Sequence, residues 1–175
     1  MKQPTNLELA LCDGMPWGLK CRTYSGIGTL KEINKNGHWY LDLDGGGGTV
    51  GNLNSKDHEG KFFLGGEPYP PSSILKPILF SLSCLTKEIT ISDYNDGKPF
   101  IPINVLNQMK IAQMGLASFR IFESKEGKIH VLADFNDGYS VLAQPGIKQI
   151  LDQWHFNTRN LEPHEFINAE GLNVY

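Results

Sequence analysis

Residues 19–42 read LKCRTYSGIGTLKEINKNGHWYLD, and the pattern in this stretch decides the fold class. Leu19, Cys21 and Thr23 alternate with Lys20, Arg22 and Tyr24, the period of a strand with one buried face. Ser25-Gly26 breaks the run, and residues 27–33 resume it as a second strand. Residues 34–37 (NKNG) have the chemistry of a hairpin loop, because Asn and Gly tolerate positive φ. Residues 38–42 (HWYLD) then form a third strand, rich in aromatic and apolar side chains.

Working outward, residues 7–12 predict a short helix that Asp13-Gly14 and Pro16 stop. On the other side, Gly45 to Gly48 are four consecutive glycines, too mobile for a strand interior. Residues 49–53 and 61–64 (KFFL) read as a fourth and a fifth strand. Short strands at this spacing predict a small antiparallel β-barrel-like (SH3-like) front half. Residues 67–71 (EPYPP) stiffen the chain, which places a boundary between a β-rich subdomain, 1–72, and an α+β subdomain, 73–175, packed as one globular unit.

The back half predicts β-hairpins and two helices. Residues 73–91 are apolar and ambiguous between strand and helix, with Pro77 breaking any helix that begins before it. Asn95-Asp96-Gly97 joins two β-compatible runs, 88–91 and 99–103. Asn104 is a good N-cap for a helix through about Ala117, with Val105, Met109, Ala112 and Leu116 on one stripe. Residues 119–123 and 128–135 alternate around Lys125-Glu126-Gly127, and 139–143 add a strand. Pro145 suits a helix's first turn, with Ile147, Ile150, Leu151 and Trp154 as its buried face. The tail, 157–175, is expected to pack as a short helix and strand. The fold class is α+β, mainly antiparallel.

A chain of 175 residues with net charge −3, from 16 basic and 19 acidic side chains, lacks the basic excess of a protein devoted to gripping phosphate backbones. It also lacks the acidic runs of a nucleic-acid mimic. Three widely spaced cysteines, Cys12, Cys21 and Cys84, fit a reducing compartment. No apolar run reaches the roughly 20 residues of a membrane span. The expectation is a cytoplasmic protein with no membrane partner and an oligomeric state that the sequence leaves open.

The motifs that carry chemistry are weak. Thr49-Val50-Gly51 follows the glycines where a phosphate loop requires lysine and a hydroxyl residue. The Asp42-Leu43-Asp44-Gly45 run places Leu53 or Ser55 where a calcium loop needs its closing glutamate. His38, His58, His130, His155 and His164 include no pair at the i, i+4 spacing of a helical zinc site. Cys84, within SLSCLT, is better read as a small buried hydrophobe than as a nucleophile. The residues therefore assign no catalytic group, no metal site and no cofactor. An enzyme with a dispersed site stays open, with His155, His164 and carboxylates converging in a pocket as its mark.

Binding has more support. Trp39, Tyr40, Phe62, Phe63 and Tyr69 are the candidate binding residues. Neighbours on a strand face opposite ways, so one of Trp39 and Tyr40, and one of Phe62 and Phe63, faces outward. Exposed aromatics stack single-stranded bases or anchor protein interfaces.

Three segments, 15–21 (MPWGLKC), 74–103 (ILKPILFSLSCLTKEITISDYNDGKPFIPI) and 153–174 with Trp154-His155-Phe156 and Gly171-Leu172, carry a family resemblance. They resemble the PYGLK opening, the KPILRPLSDLTKEI and NGEKFVPI block, and the WHFD tail of small proteins from Bacteroidetes phages and prophages. Phe80 stands where that pattern has arginine and Cys84 where it has aspartate. The resemblance implies a phage setting in the host cytoplasm and action by binding a host macromolecule. A host protein or ribonucleoprotein is the expected partner, and a CRISPR effector nuclease or its guide RNA would make the chain an anti-defence inhibitor. A nucleic-acid or nucleotide binder using the front barrel is the alternative.

Overall fold

The computed structural model describes residues 4–23, 25–34, 36–53, 63–64, 67–68, 75–109, 116–142 and 145–175. The chain forms two compact units, Met1–Ile78 with Leu161–Ile167, and Leu79–Asn160 with Asn168–Tyr175. The fold is mixed α+β.

The first unit opens with helix α1 (Asn6–Gly14). Thr5 caps it: its hydroxyl accepts the Glu8 N–H (3.2 Å) while the Glu8 carboxylate accepts the Thr5 N–H (2.6 Å), a reciprocal capping box. Strands β1 (Lys20–Thr23), β2 (Gly26–Ile33), β3 (His38–Leu43) and β4 (Gly48–Asn52) follow as an antiparallel meander. Asn34 Oδ1 accepts the N–H groups of Asn36 and His38 (3.0 and 3.2 Å), and Gly37 takes φ +77°. Those bonds close the NKNG hairpin. Leu11, Leu19, Cys21, Leu30, Trp39 and Leu41 make the core.

Strand β5 (Phe63–Leu64) pairs with β6 (Glu67–Pro68) in a separate two-stranded ladder. β7 (Lys76–Leu79) pairs antiparallel with β1. The six-stranded sheet runs β11-β7-β1-β2-β3-β4, with β11 at Ile167–Asn168. These strands correct the expected SH3-like barrel: among the described residues the sheet is open. The edge of β1 that a closing strand would need is taken by β7, and the KFFL strand pairs locally instead of joining the sheet.

The second unit holds helix α2 (Pro102–Met109), a three-stranded antiparallel sheet, β10-β9-β8, and helix α3 (Pro145–Gln153). Its strands are β8 (Leu116–Glu123), β9 (Ile129–Phe135) and β10 (Ser140–Leu142). α2 corrects the sequence expectation. It starts at Pro102, whose fixed φ suits a first turn, so Asn104 lies inside the helix, and Leu116 and Ala117 belong to β8. Trp154 is the hub of this unit's core, edge-on to Tyr94 and Phe100 with ring centroids 5.2 and 5.4 Å away. The tail forms turns around β11 and no helix.

Candidate functional site

The alternation of β3 separates the two aromatic candidates. Trp39 points inward and is 5% exposed; Tyr40 points outward and is 38% exposed. The partner strand makes room for both rings. Gly51 lies directly opposite Trp39, and a Cβ there would come within 2.6 Å of the Trp39 Cε2. Tyr40 pairs with Val50 and leans across Gly48, where a Cβ would come within 2.5 Å of its Cε2. Gly51 and Gly48 therefore provide two seats for aromatic rings, one inside and one outside. Val50, 57% exposed beside Tyr40, extends the outer ring into an apolar shelf.

The same outward face carries charge in a defined order. Arg22 on β1 stands opposite Lys76 on β7, like charges at the separation where cross-strand repulsion costs stability. Neither makes an ion pair among the described residues. Lys20 reaches Asp44 at 2.5 Å. Glu32 faces Tyr40, and Asp42 faces Thr29. Lys20, Arg22 and Lys76 are thus interspersed with Glu32, Asp42 and Asp44, and Lys31 is exposed beside Glu32 on β2.

Of the other sequence candidates, Phe62 and Tyr69 lie outside the described residues, and Phe63 is placed by its backbone in β5. The sheet brings Tyr40 together with Val50 and, two and three strands away, sets Arg22 beside Lys76; the sequence singled out none of these three partners. Their signal is register between strands, visible only once β7 is known to lie beside β1.

The groups considered for chemistry are placed as follows. Cys84 is buried; its thiol donates to the Glu170 carboxylate (3.5 Å), which Lys87 also holds. Burial, then the Glu170 charge, pushes the thiol above its ordinary range, which disfavours a thiolate. His155 is buried at φ +59° and stacks flat on Tyr175, centroids 3.9 Å apart. Its Nδ1 has no hydrogen-bond partner among the described residues, and burial lowers its pKa to about 4. It belongs to the second unit, whereas His164 is exposed in the first; His58 lies outside the described residues. Among the described residues no cluster of three or more His, Cys, Asp or Glu is arranged to hold a metal ion, and no helix is long and apolar enough to cross a membrane.

Comparison with protein-family models, with curated proteins and with solved structures finds no match to this chain.

Proposed function

We propose that the chain is a binding protein of phage or prophage origin that docks onto a host macromolecule through the outward face of its first unit's sheet. The carrying observation is the shelf of Tyr40 and Val50, laid over Gly48 with Glu32 opposite Tyr40, while the basic pair Arg22 and Lys76 stands farther off on the same face of the sheet. Tyrosine and arginine dominate the energetics of protein interfaces, where they act as anchors surrounded by near-neutral contacts. Charge decides which partner fits better. A polyanion is held by a basic excess, whereas here basic and acidic side chains are interspersed, Lys20 being held by Asp44. The protein part of a host effector ribonucleoprotein is accordingly the favoured target, and the sequence resemblance adds the anti-defence setting.

Affinity purification of tagged chain from a Bacteroidetes lysate, with and without nuclease, tests this reading. A stoichiometric defence nuclease that survives nuclease treatment and is lost with Tyr40→Ala is the expected result. Recovery of nucleic acid alone would overturn it. That outcome would promote the second reading, a nucleic-acid binder, which Arg22 and Lys76, without an ion pair among the described residues, favour. Its signature is affinity that falls steeply with salt, with the slope reduced in Arg22→Gln.

A further inference from the structure

The second unit contains a cleft of about 190 Å³ between β9, the end of β10, α3 and the chain at Thr158 and Asn160. Its floor is aliphatic, made by the buried Leu82, Val131 and Leu151. Its rim is polar. Lys148 and Thr158 both reach Asp152, at 2.6 and 2.5 Å, so the charge at that side of the rim cancels. Asn160 takes φ +49°, a left-handed conformation that asparagine tolerates. The Asn160 and His130 side chains line the cleft and make no hydrogen bond to another protein group among the described residues.

We infer that this cleft is a binding site for a single neutral ring carrying one hydrogen-bonding group, a phenol or an indole. Size sets the first limit: an apolar cavity of about 150 Å³ holds one benzene ring, while clefts for drug-sized ligands begin at about 300 Å³. Charge sets the second. An anion drawn to Lys148 meets the Asp152 carboxylate bonded to it, and a cation meets the converse; a neutral ring meets neither repulsion. Wall chemistry sets the third. Bases are held by stacking on aromatic or guanidinium planes, and this floor offers leucine and valine. A ring on that floor turns its hydroxyl or N–H toward the Asn160 amide and the His130 imidazole. Two sources present the same group: a free phenolic or indolic molecule, and a Tyr or Trp side chain of a bound protein.

The test is a series of amide NMR titrations of the full chain with p-cresol, toluene, benzoate and adenosine. p-Cresol is expected to shift the amides of Val131, Leu151 and Asn160 saturably at millimolar concentration. Toluene, which lacks the polar edge, and benzoate, which is charged, should each bind about fivefold more weakly, the worth of one ordinary hydrogen bond. Asn160→Gly keeps the left-handed backbone and removes the amide, so it should bring p-cresol down to the affinity of toluene. A blocked Gly-Tyr-Gly peptide separates the sources: binding as tight as p-cresol points to a protein side chain, and failure while p-cresol binds points to a free molecule. No saturable shift at these residues in 10 mM p-cresol (about the weakest affinity one ring would show) overturns the proposal. So does toluene binding that equals p-cresol in the wild type, or adenosine displacing p-cresol.

Discussion

Two glycines three positions apart on one strand make opposite demands, and substituting each by alanine measures which ring is inside. Neither Gly48 nor Gly51 holds a left-handed conformation, so alanine brings no backbone strain at either. Each substitution also restricts the unfolded chain, a gain of about 0.4–1 kcal/mol. The difference lies in what the new methyl meets. At Gly51 it overlaps the Trp39 ring, which is enclosed by the core and has no space to yield. Overpacking costs about 1–3 kcal/mol, and a clash with a ring held on all sides falls in the upper part of that range, about 2–3 kcal/mol, leaving a net loss of about 1–2.6 kcal/mol after the unfolded-state gain. At Gly48 it meets the outer part of the Tyr40 ring, which can swing into solvent. The gain and the displacement then offset to within about 0.5 kcal/mol. For a chain of this length 1 kcal/mol moves Tm by about 2–4 °C. Thermal unfolding should therefore show Gly51→Ala about 2–10 °C below wild type, and Gly48→Ala within about 2 °C of it. Equal losses, or a larger loss for Gly48→Ala, would refute the inside and outside assignment of the two aromatics.

Trp154→Ala should destabilise by about 3–5 kcal/mol, since it removes a large side chain packed by Tyr94 and Phe100; urea unfolding checks it. His155, held at a pKa of about 4 against 6.5 when unfolded, gives full stability above pH 6.5. That contribution is lost progressively as pH falls from 6.5 to about 4, by an amount on the order of 3 kcal/mol. His155→Asn, which accepts the left-handed backbone, should remove this part of the slope in urea midpoints measured across that range. Tyr40→Ala should leave Tm within about 2 °C while weakening partner binding at least about tenfold, the loss expected of an interface anchor and read by surface plasmon resonance.

The hairpins were legible because their information is local. Residues 34–37 and Lys125-Glu126-Gly127 announce turns, and at both the glycine takes a positive φ, +77° at Gly37 and +75° at Gly127. The alternation around Trp39 and Tyr40 showed that one ring faces out. Which one does so depends on Gly51 opposite Trp39, a fact of strand register. Barrel closure was illegible for the same reason. Nothing near residues 20–23 signals that residues 76–79 will pair with them. The start of α2 departs from expectation because Asn104 is a better cap by type than the residues before Pro102, while it is the fixed φ of the proline that opens the first turn. The Arg22–Lys76 pair and the cleft beneath Asn160 were illegible, as both assemble residues distant in the chain.

The division of the chain has a consequence for its synthesis. The first unit includes Leu161–Ile167, so its amino-terminal part leaves the ribosome roughly 80 residues ahead of the piece that completes it. At the usual 5–20 residues per second that interval lasts roughly 4–16 s. Throughout it, the unit has β1 to β4 available but awaits its last segment, whereas most of the second unit has already emerged when that segment appears. Vectorial order and structural order thus run opposite ways: the part made first is among the last to be finished. Arrested chains ending before residue 161 should accordingly display the meander in a more protease-sensitive form than chains released whole.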